Sequence, residues 1–174
     1  PCEDARATLT PQLRTDCGPS ELLLIDLGRG RNRLGGSILA QVFERFGDRA
    51  PDLEEPEALV CFFDCIQALA GDGLLLAYHD RSDGGLFACV CEMAFAGRTG
   101  VTIDVEVLAH DPAAVGVNGK RVPPEPMHRR ELQNVLAALF AEELGAIIQI
   151  RAQDRFPVLS RLKSAGLVVH QIGS

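Results

Sequence analysis

The chain has 174 residues, 47% of them hydrophobic and 24% charged, which suffices for the core of one globular domain and excludes disorder of the chain as a whole. Its 24 acidic residues exceed its 17 lysines and arginines, and the net charge of −7 excludes a general basic surface for nucleic acid or anionic lipid. The lack of Trp and the single Tyr also exclude aromatic platforms that stack single-stranded bases.

The first twenty residues are polar and interrupted by Pro11, Gly18 and Pro19, so we predict that 1–20 is an irregular lead-in from a preceding domain. The chain starts at Pro1 without Met and without the apolar stretch of a signal peptide, which indicates a piece of a longer protein. No apolar run approaches the ~18 residues of a membrane span, so we expect no membrane partner. Residues 21–174 form the predicted main domain.

The main domain alternates short apolar runs with amphipathic stretches, an order that predicts an α/β fold. Strands are predicted at 22–27, 74–78, 101–105 and 146–150, and from 167 onward. Helices are predicted at 38–46, 56–71, 86–96, 131–143 and 154–165. We expect a mixed sheet with helices packed on its faces. The helix at 86–96 should be the most buried, because it is apolar on most sides.

Helical spacing predicts a buried face for the first helix, made of Ile38, Leu39, Val42, Phe43 and Phe46. Residues 110–130 break the alternation of strands and helices, because they contain four prolines. Within them, an Asn118-Gly119 pair lies between short apolar pairs and predicts a small exposed hairpin.

Six cysteines are present, but their spacing does not indicate disulfides or zinc. Cys61 and Cys65 are four residues apart in one predicted helix, Cys89 and Cys91 lie in another, and no CxxC pair occurs. We therefore expect reduced thiols that serve as small buried hydrophobic residues, as is typical of a cytoplasmic protein.

The segment from Ala77 to Leu86 carries the strongest indication of chemistry, since an apolar strand leads directly into Asp, Ser, Asp and two glycines before a helix begins. The carboxyl ends of strands in α/β sheets are common ligand sites, and a helix N-terminus suits phosphate. Asp80 could give a hard oxygen to Mg²⁺, and Ser82 could donate to a phosphate. Alternatively, Ser82 or Asp83 simply caps the helix. By its position His79 is an ordinary strand-end residue, and Arg81 is a local charge partner.

A basic, glycine-rich loop runs from Arg29 to Arg33 after the first predicted strand. Two interpretations stay open. The loop could contact a substrate phosphate or a neighbouring domain, or it could be solvated, as such loops more often are.

The string HDRSDGGL at 79–86, followed by CEMAFAG at 91–97, resembles phosphoribosylformylglycinamidine synthase, an enzyme of purine biosynthesis. Further segments fit that family in the same order over almost all of the chain: LTPQL at 9–13, LLIDLG at 23–28, FFD at 62–64, IQAL at 66–69 and EELGA at 142–146. The resemblance implies a three-layer domain like the C-terminal domain of aminoimidazole ribonucleotide synthase. It also marks 110–130 as a probable loop insertion.

The resemblance further implies that the chain is the C-terminal α/β domain of the second of two similar halves in a larger enzyme. That enzyme converts formylglycinamide ribonucleotide, ATP and glutamine to the amidine, ADP, phosphate and glutamate. A sheet domain lies upstream of this one, and a glutaminase with a catalytic cysteine lies downstream. The second half holds ADP and Mg²⁺ at an auxiliary site.

Carried over to this sequence, the family pattern makes Asp80 a Mg²⁺ ligand and Ser82 a contact of the ATP or ADP. The remaining ligands belong to the upstream domain, so the resemblance implies no catalytic residue and no activity for this domain alone. Two alternatives stay open. One is a related ATP enzyme of the aminoimidazole ribonucleotide or selenophosphate synthetase type, and the other is a non-catalytic ligand-binding or scaffold domain.

Overall fold

A computed structural model describes residues 8–109 and 129–174, and it contains one four-stranded sheet with helices on both faces. The strands are β1 (Ser20–Asp26), β2 (Ala77–Asp80), β3 (Gly145–Arg151) and β4 (Val169–Gly173). The helices are α1 (Ile38–Val42), α2 (Pro56–Gly71), α3 (Gly85–Gly97), α4 (Glu106–Ala109), α5 (Arg129–Phe140) and α6 (Arg155–Ser164). No helix in these two described stretches is long and apolar enough to cross a membrane.

The sheet has the order β2-β3-β1-β4, and each of its three strand pairs is antiparallel. The expected α/β class with helices on the faces is confirmed, but the pairing is antiparallel rather than mixed. The reason is that β1 and β2 run parallel with β3 between them, while β3 and β4 run parallel with β1 between them. Two split β-α-β units therefore interleave, so no strand lies beside its parallel partner.

The central strand β1 is buried on both faces, and its alternating side chains start two separate cores. Leu23 and Ile25 pack with residues of α2 and α6, including Leu69 and Leu162. Leu22 and Leu24 pack on the other face, mainly against α3, in a core of Leu13, Ala77, Leu86, Cys89, Val90, Met93, Ile147 and Ile172. The result is three layers, as expected. Of the described helices, α3 has the most buried residues, which confirms its predicted role in the core.

Several predicted elements differ from the structure, among them the helix predicted at 131–143, which ends at Phe140. The second strand lies at Ala77–Asp80 rather than 74–78, so its last residues are polar. The segment predicted as a strand at 101–105 forms no full strand, but it lies antiparallel along the end of β4. Ile103 bridges Gly173, and backbone hydrogen bonds of 2.7–3.1 Å join Thr102 to Ser174 and Asp104 to Ile172. Helix α1 has five residues, and Val42, Phe43 and Phe46 of its predicted buried face are exposed. The chain turns away there, since Glu44 adopts a left-handed conformation.

The described part of the lead-in, from Thr8 to Pro19, has no helix or strand but lies against the sheet. Leu13 is buried, and the carbonyl of Thr10 accepts a hydrogen bond of 3.0 Å from the Tyr78 N–H. The buried Gln149 amide binds both backbone groups of Arg14, each at 2.8 Å. The bond between Thr10 and Tyr78 covers part of the outer edge of β2. The predicted hairpin at 118–119 and most of the predicted insertion at 110–130 lie outside the described residues.

Candidate functional site

The candidate site begins at the carboxyl end of β2, where Asp80 is the last residue of the strand and is exposed. The Tyr78 hydroxyl donates a hydrogen bond to Oδ1 of Asp80. Burial, followed by the bond to Asp80 and its negative charge, raises the pKa of Tyr78 well above the usual range. The phenol therefore stays protonated and orients the carboxylate, which keeps its second oxygen as a potential ligand for a cation.

The turn between β2 and α3 requires both of its glycines. Gly84 and Gly85 have φ angles of +81° and +68°, in the left-handed region that side chains rarely adopt. A Cβ on Gly85 would also lie 2.8 Å from the carbonyl oxygens of Leu139 and Ala141, at the end of α5. The close approach of two backbones thus sets the position of the turn that carries Asp80 and Ser82.

The backbone N–H of Gly84, the N-cap residue of α3, is bound by a side chain that the sequence pattern does not indicate for this role. Neither Ser82 nor Asp83 caps the helix, since the N-cap residue is Gly84 and has no side-chain cap. Instead, Oε1 of Glu142 accepts hydrogen bonds of 2.8 Å from the Gly84 N–H and from the Ile38 N–H at the start of α1. The capping alternative is therefore wrong for Ser82 and Asp83, and one carboxylate links the turn to α1.

Cys89 lies directly beneath the turn and is fully buried. Its thiol donates to the carbonyl of Asp80 at 3.2 Å, and its sulfur accepts from the Ser82 N–H at 3.4 Å. The Ser82 hydroxyl lies 3.6 Å from the same sulfur. Cys89 is buried as expected, yet it also supports the two predicted site residues through polar contacts. From the sequence, the spacing could predict only that Cys89 lies on an apolar helix.

The His79 ring connects β2 to α3. Its Nδ1 lies 2.7 Å from the Asp80 carbonyl oxygen, and its Nε2 lies 2.7 Å from a carboxylate oxygen of Glu92. His79 is thus more than an ordinary strand-end residue, because its ring is held against the backbone of Asp80.

Arg81 is a charge partner, but of a residue distant in sequence. Its guanidinium is buried, binds Oδ1 of Asp26 at 2.6 Å and donates to the carbonyl oxygens of Glu143 and Leu144. Asp26 also accepts the backbone N–H groups of Gly28 and Gly30, at 3.1 and 2.6 Å. A buried ion pair with further hydrogen bonds therefore ties the end of β1 to the start of β3.

The basic loop turns its arginines toward acidic residues of the same chain. Arg29 pairs with Glu55 at 2.7 Å, and Arg31 pairs with Glu54. Arg33 makes a two-pronged contact with the buried Glu143, at 2.7 and 2.8 Å, and this contact raises the pKa of the guanidinium. Arg29 and Arg31 remain exposed within these pairs, so both open interpretations of the loop stay predictions.

An open groove of about 790 Å³ lies between α2 and the lead-in and reaches Asp80. Its walls are mostly apolar and include Leu9, Phe63 and Tyr78. Leu59, Val60 and Phe63 of α2 are exposed along it. Asp80 is therefore a charged group at the rim of an apolar groove.

For a metal ion, the described residues supply only part of a coordination sphere. They contain no group of three or more His, Cys, Asp or Glu side chains that could hold an ion. Mg²⁺ is commonly held by one or two carboxylates, phosphate oxygens and waters, so a single exposed Asp80 suits a shared site.

The family model described as AIR synthase related protein, C-terminal domain, matches residues 21–174. The chain belongs to this family. Among solved structures, the chain is similar to Thermotoga maritima PurL complexed with ATP, with a TM-score of 0.63 and 12% identity over 98% of this chain and 23% of that one. The PurL complex with FGAR gives 0.62 and 13%, over 98% of this chain and 26% of that one.

A second enzyme shares the fold. Thiamine-monophosphate kinase from Stenotrophomonas maltophilia gives a TM-score of 0.52 at 15% identity, over 95% of this chain and 49% of that one. This chain therefore spans about a quarter of the length of the PurL chains and about half of the kinase chain. These likenesses confirm the fold that the resemblance implied.

Proposed function

We propose that this domain forms one wall of a nucleotide–Mg²⁺ site in an ATP-dependent amidoligase, a phosphoribosylformylglycinamidine synthase of purine biosynthesis. In this proposal Asp80 is the Mg²⁺ ligand and Ser82 contacts the ATP or ADP. The other ligands come from an upstream sheet domain, and a glutaminase downstream supplies ammonia. The domain alone does not turn over substrate, and the site is auxiliary to the reaction.

The observation that carries the proposal is the position of Asp80. Its carboxylate is exposed at a strand end and oriented by Tyr78, while its backbone is held by His79 and Cys89. A solvated aspartate on a surface does not need such support, whereas a ligand must be held close to its productive geometry. Bound Mg²⁺ would neutralise the negative charge of the phosphates at this edge of the sheet.

The comparisons add support of a different kind. The chain shares its fold with PurL structures complexed with ATP, ADP, AMPPCP and FGAR, and the chain covers less than a third of each. A fragment of a larger, nucleotide-binding enzyme is consistent with both facts. The reaction itself rests on the strings at 79–86 and 91–97.

A second candidate is a scaffold domain without a ligand, and one observation favours it. The Glu142 carboxylate already lies at the positive end of α3, where a phosphate would otherwise bind. The arginines of the loop from Arg29 to Arg33 are paired with acidic residues of the same chain. Related ATP enzymes of the aminoimidazole ribonucleotide or selenophosphate synthetase type share the proposed metal chemistry. Measuring the nucleotide and metal that the purified protein retains would distinguish a scaffold from these enzymes.

The test is to purify the full-length protein and measure the ADP and Mg²⁺ that it retains. Asp80→Asn should lose both, because it removes an anionic oxygen while preserving shape. Asp83→Asn, a change at the exposed acid three residues on, is the matched control and should retain both. Ser82→Ala should weaken nucleotide binding by on the order of 1 kcal/mol, the value of one hydrogen bond. Full retention in Asp80→Asn would reject the metal assignment.

A further inference from the structure

Two free thiols lie on helix α2, away from the candidate site. Cys61 is exposed and Cys65 is half-buried, which corrects the expectation that both are core residues. Side chains four apart on a helix are neighbours, with Cβ atoms about 5–6 Å from each other. Burial raises the pKa of the Cys65 thiol; nearby Arg161 opposes that rise, and Cys61 adds to it. The pair therefore forms one dithiol surface.

The spacing of this pair disfavours a direct disulfide. A disulfide needs Cβ atoms about 3.5–4.5 Å apart, so closing the bond would distort a regular helix. An atom bonded to both sulfurs would fill the extra distance without moving the backbone. In the described stretches no additional His, Cys, Asp or Glu completes a metal-binding group with these thiols, so a tetrahedral zinc site is unsupported. Two thiols at this helical spacing suit a centre that needs no third protein ligand.

We propose that Cys61 and Cys65 form a binding site for a trivalent arsenical that carries one organic group. In the binding step two arsenic–sulfur bonds form and the arsenic–oxygen double bond of the arsenoxide breaks. The oxide oxygen leaves as water with the two thiol protons. Arsenic stays trivalent, so no oxidant or reductant takes part.

This site is independent of the proposed nucleotide site. The α2 residues that line the groove near Asp80 are on other positions of the helix, such as Phe63 and Ile66. Cys65 instead packs at the margin of the core shared with α6. Neither thiol has a role in the proposed purine chemistry, so failure of one proposal leaves the other intact.

The experiment uses phenylarsine oxide and the full-length protein, followed by a wash with excess glutathione. A chelate of two thiols resists exchange with a monothiol, because the second sulfur rebinds at high effective concentration. We expect one phenylarsenic group retained, located by mass spectrometry on the peptide that contains 61–65. Cys61→Ser and Cys65→Ser should each lower the glutathione concentration needed for release by on the order of 100-fold.

Cys91→Ser is the matched control, since Cys91 is a half-buried thiol on another helix. It should retain the phenylarsenic group as the unchanged protein does, and circular dichroism should confirm that all variants are folded. Retention by Cys61→Ser equal to that of the unchanged protein would overturn the proposal. So would the absence of a glutathione-resistant adduct on the peptide that contains 61–65.

Discussion

At the scale of single residues, the candidate site depends on neighbouring side chains that hold the carboxylate and the carbonyl of Asp80 in place. Tyr78 binds the Asp80 carboxylate, while Cys89 and His79 hold the Asp80 carbonyl. Sequence reasoning could name Asp80 and Ser82 only as candidates, because they follow an apolar strand in a string with a family likeness. It could not predict the roles of Cys89 and Glu142, because their partners come from other elements and only the folded chain brings them together.

We expect Cys89→Ala to weaken ADP binding by the full-length protein on the order of 1 kcal/mol, since it removes contacts to the Asp80 carbonyl and the Ser82 N–H. Cys89→Ser, which keeps a polar group, should restore part of the affinity. Cys91→Ala on the same helix is the control and should bind ADP normally. Isothermal titration of the three variants with ADP and Mg²⁺ provides the measurement, and equal affinity for Cys89→Ala would show that the thiol does not support the site.

His170 on β4 gives the domain a predicted acid sensitivity. Burial, together with the positive charge of Arg81, lowers its pKa below the usual 6.5, and Asp26 only partly opposes this. Since the folded state disfavours the charged imidazole, its contribution to stability is present above pH 6.5 and is lost as the pH falls below that value. His170→Gln should flatten the loss of melting temperature between about pH 7 and pH 5. An unchanged pH profile in this variant would assign the acid sensitivity to other groups.

At the scale of elements, some features follow from local sequence and others do not. β1 and β3 could be predicted because their continuous apolar runs suit strands buried on both faces, and α2 because Pro56 opens it. The apolar spacing after Ile38 predicted a long helix, but the chain turns at Glu44 and leaves Phe43 and Phe46 exposed. Local periodicity does not report which surfaces the rest of the fold will cover.

Glycine substitutions can test the contribution of the turn before α3 to stability. Gly85→Ala should destabilise the domain by about 1–3 kcal/mol, because it combines a left-handed backbone with a Cβ pressed against the end of α5. Gly71→Ala, at the last residue of α2, places its Cβ in open space and should be close to neutral. Urea denaturation of both variants gives the comparison. A Gly85→Ala variant as stable as Gly71→Ala would mean that the turn adapts freely.

At the scale of the whole molecule, the antiparallel order of the sheet was the least predictable feature. The alternation of strands and helices predicts β-α-β units, but it does not say that the strand of one unit inserts into the other. That interleaving brings the ends of β1 and β2 beside the start of β3, where Asp26 and Arg81 form their buried pair. It thereby connects the basic loop after β1 to the turn that carries Asp80. The candidate site is thus a product of topology as well as of a local string.

The most direct test of the central claim is a crystal structure of the full-length protein grown with ADP and Mg²⁺. The proposed function predicts an ion with one Asp80 oxygen at about 2.0–2.1 Å, the usual Mg²⁺–oxygen distance, and the remaining protein ligands from another domain. It also predicts the Ser82 hydroxyl within hydrogen-bonding distance of the nucleotide. Bound Mg²⁺ and ADP with Asp80 outside the coordination sphere would contradict the claim.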